Sequence, residues 1–195
     1  MKIKLEGHPK LKAAHKLVTK YPDAIIAGGV ARDILLGVEY NDIDIFIPFP
    51  LTPSAIASLC DELLVMDGCA VHEDTYTGCG RRYIAGDLDI CILPRAKMTS
   101  IEGLVEGFDM VMSQAWLEPT KDGFSVHCTD LFSEMQDRKV IGYYPDLVLE
   151  QSNHVVRIAE RFGEDHLVVA FLNPNQEGAD LLPLRLIEEK NSIPF

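Results

Sequence analysis

The feature that most constrains this chain is a run in which acidic and apolar residues alternate, Asp42-Ile-Asp-Ile-Phe-Ile, set shortly after a diglycine, Gly28-Gly29. Alternation with a period of two is the pattern of a β-strand, where residues i and i+2 share a face. Asp42 and Asp44 therefore project together, while Ile43, Ile45 and Ile47 turn the other way into a core. Like charges side by side are unfavourable, and a purely structural sheet gains nothing from them. A divalent cation reverses that sign, and hard carboxylate oxygens suit Mg²⁺. For the pair by itself, a solvated face at a sheet edge is the plainer alternative.

What precedes the pair narrows the choice. Ile25-Ile-Ala-Gly-Gly-Val-Ala-Arg-Asp reads as a strand, a diglycine and the start of a helix. Glycines at such an elbow let backbone N–H groups approach a phosphate, and the helix N-terminus adds positive partial charge. Gly28 and Gly29 are thus candidate nucleotide-binding residues. Arg32, in the first helical turn, is a candidate for a bidentate phosphate contact. Asp87-Leu-Asp-Ile-Cys-Ile repeats the acidic alternation on another strand. Asp89 lies more firmly inside that strand than Asp87, which follows Gly86, so Asp89 is the expected third carboxylate and Asp87 the alternative. Asp42, Asp44 and Asp89 are then the expected metal ligands and catalytic acids of a two-metal phosphoryl transfer served by Mg²⁺ or Mn²⁺.

The rest of the chain reads as mixed α/β. Helices are expected over residues 9–20, Val30–Leu36 (ended by Gly37), Pro53–Leu64, Asp130–Asp137 and Asp146–Phe162. Strands are expected at 23–27, 42–47, Ala70–Glu73, Arg82–Ala85 and Leu88–Leu93, the last two joined or interrupted near Gly86. Phe108–Leu117 is ambiguous between strand and helix. Leu167–Leu172 and a helical piece at Asp180–Lys190 follow. This predicts a catalytic domain over 1–145 and a short helical extension over 146–195.

Composition sets outer limits. Of 195 residues, 47% are apolar and 25% charged, which is the balance of a folded domain and not of a disordered tail. No apolar run approaches the roughly 20 residues a membrane span needs, and a cytoplasmic protein with no membrane partner is expected. The five cysteines are scattered, with no Cys-x-x-Cys pair, which argues against a disulfide framework or a zinc knuckle. Cys91 reads as core and Cys79 as the more exposed. The net charge of −12 argues against extensive nucleic-acid binding, because a protein that grips a long polyanion carries a basic surface. A nucleoside triphosphate remains compatible, since bound metal and a few arginines neutralise it locally. Of the other polar clusters, His72-Glu73-Asp74 matches no ligand spacing, Arg81-Arg82 reads equally as surface charge or as a phosphate or acceptor contact near Asp89, and Trp116 reads as core.

Gly28-Gly-Val-Ala-Arg-Asp-Ile-Leu-Leu-Gly followed by Asn41-Asp-Ile-Asp-Ile-Phe resembles the first motif of the polymerase-β-like nucleotidyltransferase superfamily. Within it, the likeness is nearest to the head domain of class II tRNA CCA-adding enzymes and bacterial poly(A) polymerases. Gly107-Phe-Asp-Met-Val-Met-Ser-Gln is similar to that family's Arg-Arg-Asp-Phe-Thr-Ile-Asn segment, and Val156-Arg-Ile-Ala-Glu-Arg-Phe-Gly to its neck helix. The resemblance implies a mixed sheet flanked by helices, metal at Asp42 and Asp44, and nucleotide contacts from Gly29, Arg32 and a neck arginine such as Arg157. It implies a mostly structural Asp33. The chain departs from the family at Glu106-Gly107, where an arginine is expected, and at His154, where another often stands. The family's Glu-Asp-x-x-Arg motif is absent as such. The expected activity is transfer of a nucleoside monophosphate from a triphosphate to an RNA 3′ end or another hydroxyl. Protein-directed AMP transfer and a non-catalytic nucleotide-binding descendant are the alternatives.

Overall fold

The computed structural model describes residues 1–49, 54, 57–62, 72–74, 81–94, 100–144, 149–162 and 166–170. The chain divides into two compact units, Met1–Gly107 with Gln114–Cys128, and Phe108–Ser113 with Thr129–Phe195.

The first unit is built on one eight-stranded sheet. In chain order its strands are β1 (Lys2–Lys4), β2 (Ile25–Ala27), β3 (Ile43–Phe49), β4 (His72–Asp74), β5 (Arg81–Ala85), β6 (Leu88–Pro94), β7 (Ala115–Thr120) and β8 (Gly123–Cys128). In space they run β1-β8-β7-β2-β3-β6-β5-β4. Neighbours are antiparallel except β3 and β6, which are parallel, so the sheet is mixed.

Strand parity sorts the sheet into two faces. Ile26, Ile45, Ile90 and Leu117 share one cross-strand row and are buried, as are Ile43, Ile47 and Ile92 on the same side. Helix α1 (Leu11–Lys20) covers this face, burying Leu11, Ala14, Leu17 and Val18 and setting the His15 ring edge-on to Phe124. Full burial of one such aliphatic side chain is worth about 1.5–3 kcal/mol, so this row supplies much of the unit's stability. The opposite face carries Asp44, Asp89, Arg82 and Trp116.

Helix α2 (Gly29–Leu36) follows β2 and stops at Gly37, whose φ of 68° is the left-handed value that favours glycine. Gly37 N–H donates to Ile34 O and Val38 N–H to Asp33 O, which closes the last turn. Helix α3 (Ile101–Glu106) starts at Ser100, whose side chain accepts from Gly103 N–H.

Several sequence expectations are refined. Residues 82–85 and 88–93 form a hairpin turning at Gly86 and Asp87, with Gly86 at φ 59°. The ambiguous stretch 108–117 divides into a 3₁₀ turn at Val111–Ser113 and the start of β7. The β7–β8 hairpin escapes a pattern reading because Pro119 sits inside β7 and argues against a strand. Strand β1 is short and carries Lys2 and Lys4, so it lacks an apolar signature. It lies close on β8: a Cβ on Gly123 would come within 2.1 Å of Ile3 O. Gly123→Ala is therefore expected to displace β1 and destabilise the unit by about 1–3 kcal/mol, read by denaturant unfolding and by faster amide exchange at Ile3.

The second unit holds α4 (Asp130–Asp137), α5 (Leu149–Phe162) and a two-stranded parallel sheet of β9 (Val140–Tyr143) and β10 (Leu167–Ala170). Thr129 caps α4 by accepting from Phe132 N–H. Val111, Met135, Val140 and Tyr144 form its core, with Leu131 against them. Cys69, Cys79, the first residues of the expected 70–73 strand and the expected helix at 180–190 lie outside the described residues. No helix among the described residues is long and apolar enough to cross a membrane.

Candidate active site

Antiparallel pairing of β2 with β3 matches Ile25 to Phe46 and Ile26 to Ile45. The end of β2 thus runs to the start of β3, which brings the Gly28-Gly29 elbow to the sheet end where Asp42 and Asp44 lie. Gly28 has φ 88° and ψ −134°, a conformation accessible essentially only to glycine. Its N–H donates to Ala115 O at 2.8 Å and its O accepts from Arg32 N at 3.1 Å. Gly28 therefore shapes the elbow and anchors it to β7. The N–H groups that α2 can present to an anion are those ahead of this first intrahelical bond, on Gly29, Val30 and Ala31.

Arg32 is buried, at 3% exposure, and its Nε donates to Asp33 Oδ1 at 2.8 Å. Asp33 is buried with it. The guanidinium lies beside Gly29, with Nη2 at 3.5 Å from where a Cβ on that residue would be. The structure thus places Arg32 inside the turn, held by its neighbour.

Asp44 on β3 and Asp89 on β6 are partners in register on adjacent parallel strands. Side chains so paired leave the sheet on the same side, from Cα atoms on strands about 4.8 Å apart. Asp42 precedes β3 at the same parity and is exposed, whereas Asp44 is half-buried and Asp89 buried at 9% exposure. Asp87 sits exposed in the hairpin turn, with Lys10 Nζ 3.5 Å from its carboxylate. Its backbone O accepts from Ile43 N–H at 2.8 Å and ties the starts of β3 and β6 together. Asp89, not Asp87, is the acid across from Asp44.

Asp89 is gripped by Arg82 from the neighbouring strand β5. Arg82 Nε donates to Oδ1 at 2.8 Å and to Oδ2 at 3.0 Å, and Nη2 donates to Oδ2 as well. Cys91 Sγ lies 4.0 Å from Oδ1. The donors are chemically right for a hard divalent cation, with Asp42 and Asp44 on one strand edge and Asp89 beside them. Among the described residues, however, no three His, Cys, Asp or Glu side chains are grouped to share one ion.

Trp116, read from the sequence as core, and His127, which the sequence reading did not single out, lie in the same cross-strand row. Trp116, opposite Ala27 on β2, stacks on His127 of β8, ring centroids 5.4 Å apart and planes 14° from parallel. His127 Nε2 lies 3.1 Å from Glu118 Oε2. Trp116 is buried, as its sequence context suggests. The unread β7–β8 hairpin hid the partnership. A cavity of about 680 Å³, lined in part by Pro22, Ile25, Pro48 and Pro119, lies at the opposite end of β3 from Asp44.

In the second unit, Arg157 is exposed on α5. His154 Nδ1 lies 3.1 Å from Asp109 Oδ2, a histidine–carboxylate pair within the second unit. His72, Glu73 and Asp74 form β4, antiparallel to β5.

A mixed sheet with paired acids at the start of two parallel neighbours, beside a glycine elbow that opens a helix, defines the nucleotidyltransferase fold of CCA-adding enzyme heads. The solved structures it resembles are particular members of that class. The Thermotoga maritima CCA-adding enzyme complexed with tRNA aligns over 86% of this chain and 43% of its own, with TM-score 0.54 and 18% identity. A CCA-adding enzyme with CTP aligns over 86% and 44%, with TM-score 0.52 and 18% identity. A tRNA-processing enzyme in an apo form aligns over 73% and 38%, with TM-score 0.51 and 22% identity. The alignments thus span less than half the length of each of these structures. No family model matches the sequence, and no curated protein matches it.

Proposed function

We propose that this chain is a metal-dependent nucleotidyltransferase that moves a nucleoside monophosphate from a triphosphate to an acceptor hydroxyl and releases pyrophosphate. The observation that carries this reading is the in-register pair Asp44 and Asp89 on parallel strands, at the sheet end reached by the Gly28-Gly29 elbow. A structural sheet has no use for two acids opposed in this way. Phosphoryl transfer does, because the triphosphate and leaving pyrophosphate need charge neutralised where they react.

In this reading Asp42 and Asp44 hold a divalent cation, Mg²⁺ or Mn²⁺, which would supply that neutralisation when bound. Asp89 orients the acceptor hydroxyl and takes its proton. First-turn N–H groups of α2 meet the phosphates. The CTP bound to a structural neighbour favours a triphosphate donor. The net charge of −12 favours a protein or small acceptor over a long RNA, and a cytoplasmic setting supplies both.

The test is incubation with each labelled nucleoside triphosphate, Mg²⁺ or Mn²⁺, and either total RNA or cell lysate. The expected result is label on an acceptor, with a protein band as the expected carrier and RNA as the other. No transfer from any triphosphate, together with an unchanged melting temperature on adding each, would overturn the proposal.

A further inference from the structure

Charge is unevenly spread along the chain. The first twenty residues hold six lysines and one acid, Glu6, a net of +5. The other 175 hold 12 lysines and arginines against 29 acids, a net of −17. Helix α1 turns that asymmetry into a surface. Its buried side carries Leu11, Ala14, Leu17 and Val18, whereas Lys12, Lys16 and Lys20 are exposed. Residues four apart lie on one side of a helix with a rise of about 6 Å between them, so the three form a stripe about 12 Å long. At its far end Lys20 is answered from within the chain, by Glu62 and by Ser58 Oγ at 3.1 Å. Just ahead of the helix, Lys10 Nζ is likewise 3.5 Å from Asp87. Between these two, the side chains of Lys12 and Lys16 make no hydrogen bond or ion pair among the described residues.

We propose that the outer face of α1 is a docking surface for a short acidic segment of a partner protein, held by Lys12 and Lys16. Like charges at i and i+4 repel, and a carboxylate laid between them removes that repulsion. The spacing suits an extended chain, in which side chains on one side recur about every 6.8 Å, close to the rise between successive lysines. The charge around the stripe selects the partner. A nucleic-acid strand longer than the stripe runs on over acidic surface, which repels it within a Debye length of about 10 Å. Proteins that hold single-stranded nucleic acid add aromatic side chains for the bases, and α1 contains no Phe, Tyr or Trp. A short run of Asp and Glu needs only point charges, which lysine supplies. The inference goes beyond the transfer reading and stands without it. Helix α1 begins beside the Asp87 turn, which ties together the starts of β3 and β6, so a segment docked on it lies near the sheet end that carries Asp42 and Asp44.

Fluorescence anisotropy tests this with two probes of equal charge, a short labelled peptide of alternating Asp and Glu and a labelled oligouridylate. Wild type is compared with Lys12→Gln plus Lys16→Gln, and with Lys2→Gln plus Lys4→Gln. The second pair removes the same charge elsewhere. Ile3 pairs with Phe124, which meets α1, so Lys2 and Lys4 leave β1 on the other sheet face. Wild type is expected to bind the peptide saturably at about 50 mM salt, more tightly than the oligouridylate, and to lose affinity at about 300 mM. The α1 variant is expected to bind the peptide about tenfold more weakly, and the β1 variant to stay within about twofold of wild type. Lys12→Arg plus Lys16→Arg, which keeps the charge, is expected to retain binding. All four side chains are exposed, so the melting curves are expected to match wild type. Equal losses in the α1 and β1 glutamine variants would reduce the effect to overall charge and overturn the surface. Tighter binding of the oligouridylate would overturn the choice of partner, and no saturable peptide binding by wild type at about 50 mM salt would overturn the inference outright.

Discussion

Asp42→Ala combined with Asp44→Ala is expected to abolish nucleotidyl transfer while leaving the fold in place. The separation of the two effects follows from where the carboxylates sit. β3 is paired on both sides, by β2 and β6, and Ile43, Ile45 and Ile47 anchor it in the core. Asp42 lies before the strand in solvent, and Asp44 is half-buried on the opposite face. Removing both lowers the density of negative charge at one sheet end and touches none of the apolar packing. The chemistry loses far more. Neutralising a triphosphate in the transition state is worth several kcal/mol, and about 4 kcal/mol corresponds to roughly a thousandfold in rate. Transfer of label should therefore drop by about a thousandfold or more, while the thermal unfolding curve stays within a few degrees of wild type. Asp89→Asn should share the loss of rate and add a cost in stability, because it leaves the Arg82 guanidinium without its carboxylate. Undiminished transfer in the double variant would remove the mechanism.

Much of this site was legible in the residues because its signals are local. A two-residue alternation identifies the strands of Asp42–Asp44 and Asp89, and Gly28-Gly29 followed by helical spacing identifies the elbow. Asp130–Asp137 was legible to the residue, and the structure adds Thr129 as its cap. What escaped depends on pairing between distant segments. That Asp44 stands opposite Asp89 is a matter of register, and no spacing along the chain reports a parallel pairing across 45 positions. The grip of Arg82 on Asp89 depends on the hairpin closing at Gly86, where the sequence allowed either a join or a break. Trp116 could be read as core, but its stacking on His127 needed the β7–β8 hairpin that Pro119 disguises. Arg32 illustrates a different limit. Its type and place suit a phosphate, and only the packing of α2 reveals that its neighbour Asp33 already holds it.

That buried pair carries the largest stability effect expected of a single substitution. Asp33→Asn would leave the Arg32 guanidinium, its side chain at 4% exposure, without the counter-charge beside it. Breaking a buried ion pair from one side costs about 3–5 kcal/mol, since the remaining charge stays out of water and loses the carboxylate beside it. Against the 5–15 kcal/mol that a typical domain commands, this is enough to unfold a sizeable fraction of the protein at moderate denaturant. Replacing both partners, as Arg32→Met with Asp33→Leu, removes the buried charges altogether and should cost far less, within about 1 kcal/mol of wild type or on the stable side of it. Urea unfolding of the single and double variants measures the contrast. A cost below about 1 kcal/mol for Asp33→Asn would mean that the pair is not desolvated as the geometry requires. The double variant also isolates chemistry from folding. With α2 and its elbow intact but no guanidinium, its affinity for a triphosphate analogue reports whether Arg32 reaches the phosphates or acts only by holding the first turn of α2 in place. An affinity equal to wild type assigns Arg32 to the turn, and a loss of tenfold or more assigns it to the ligand.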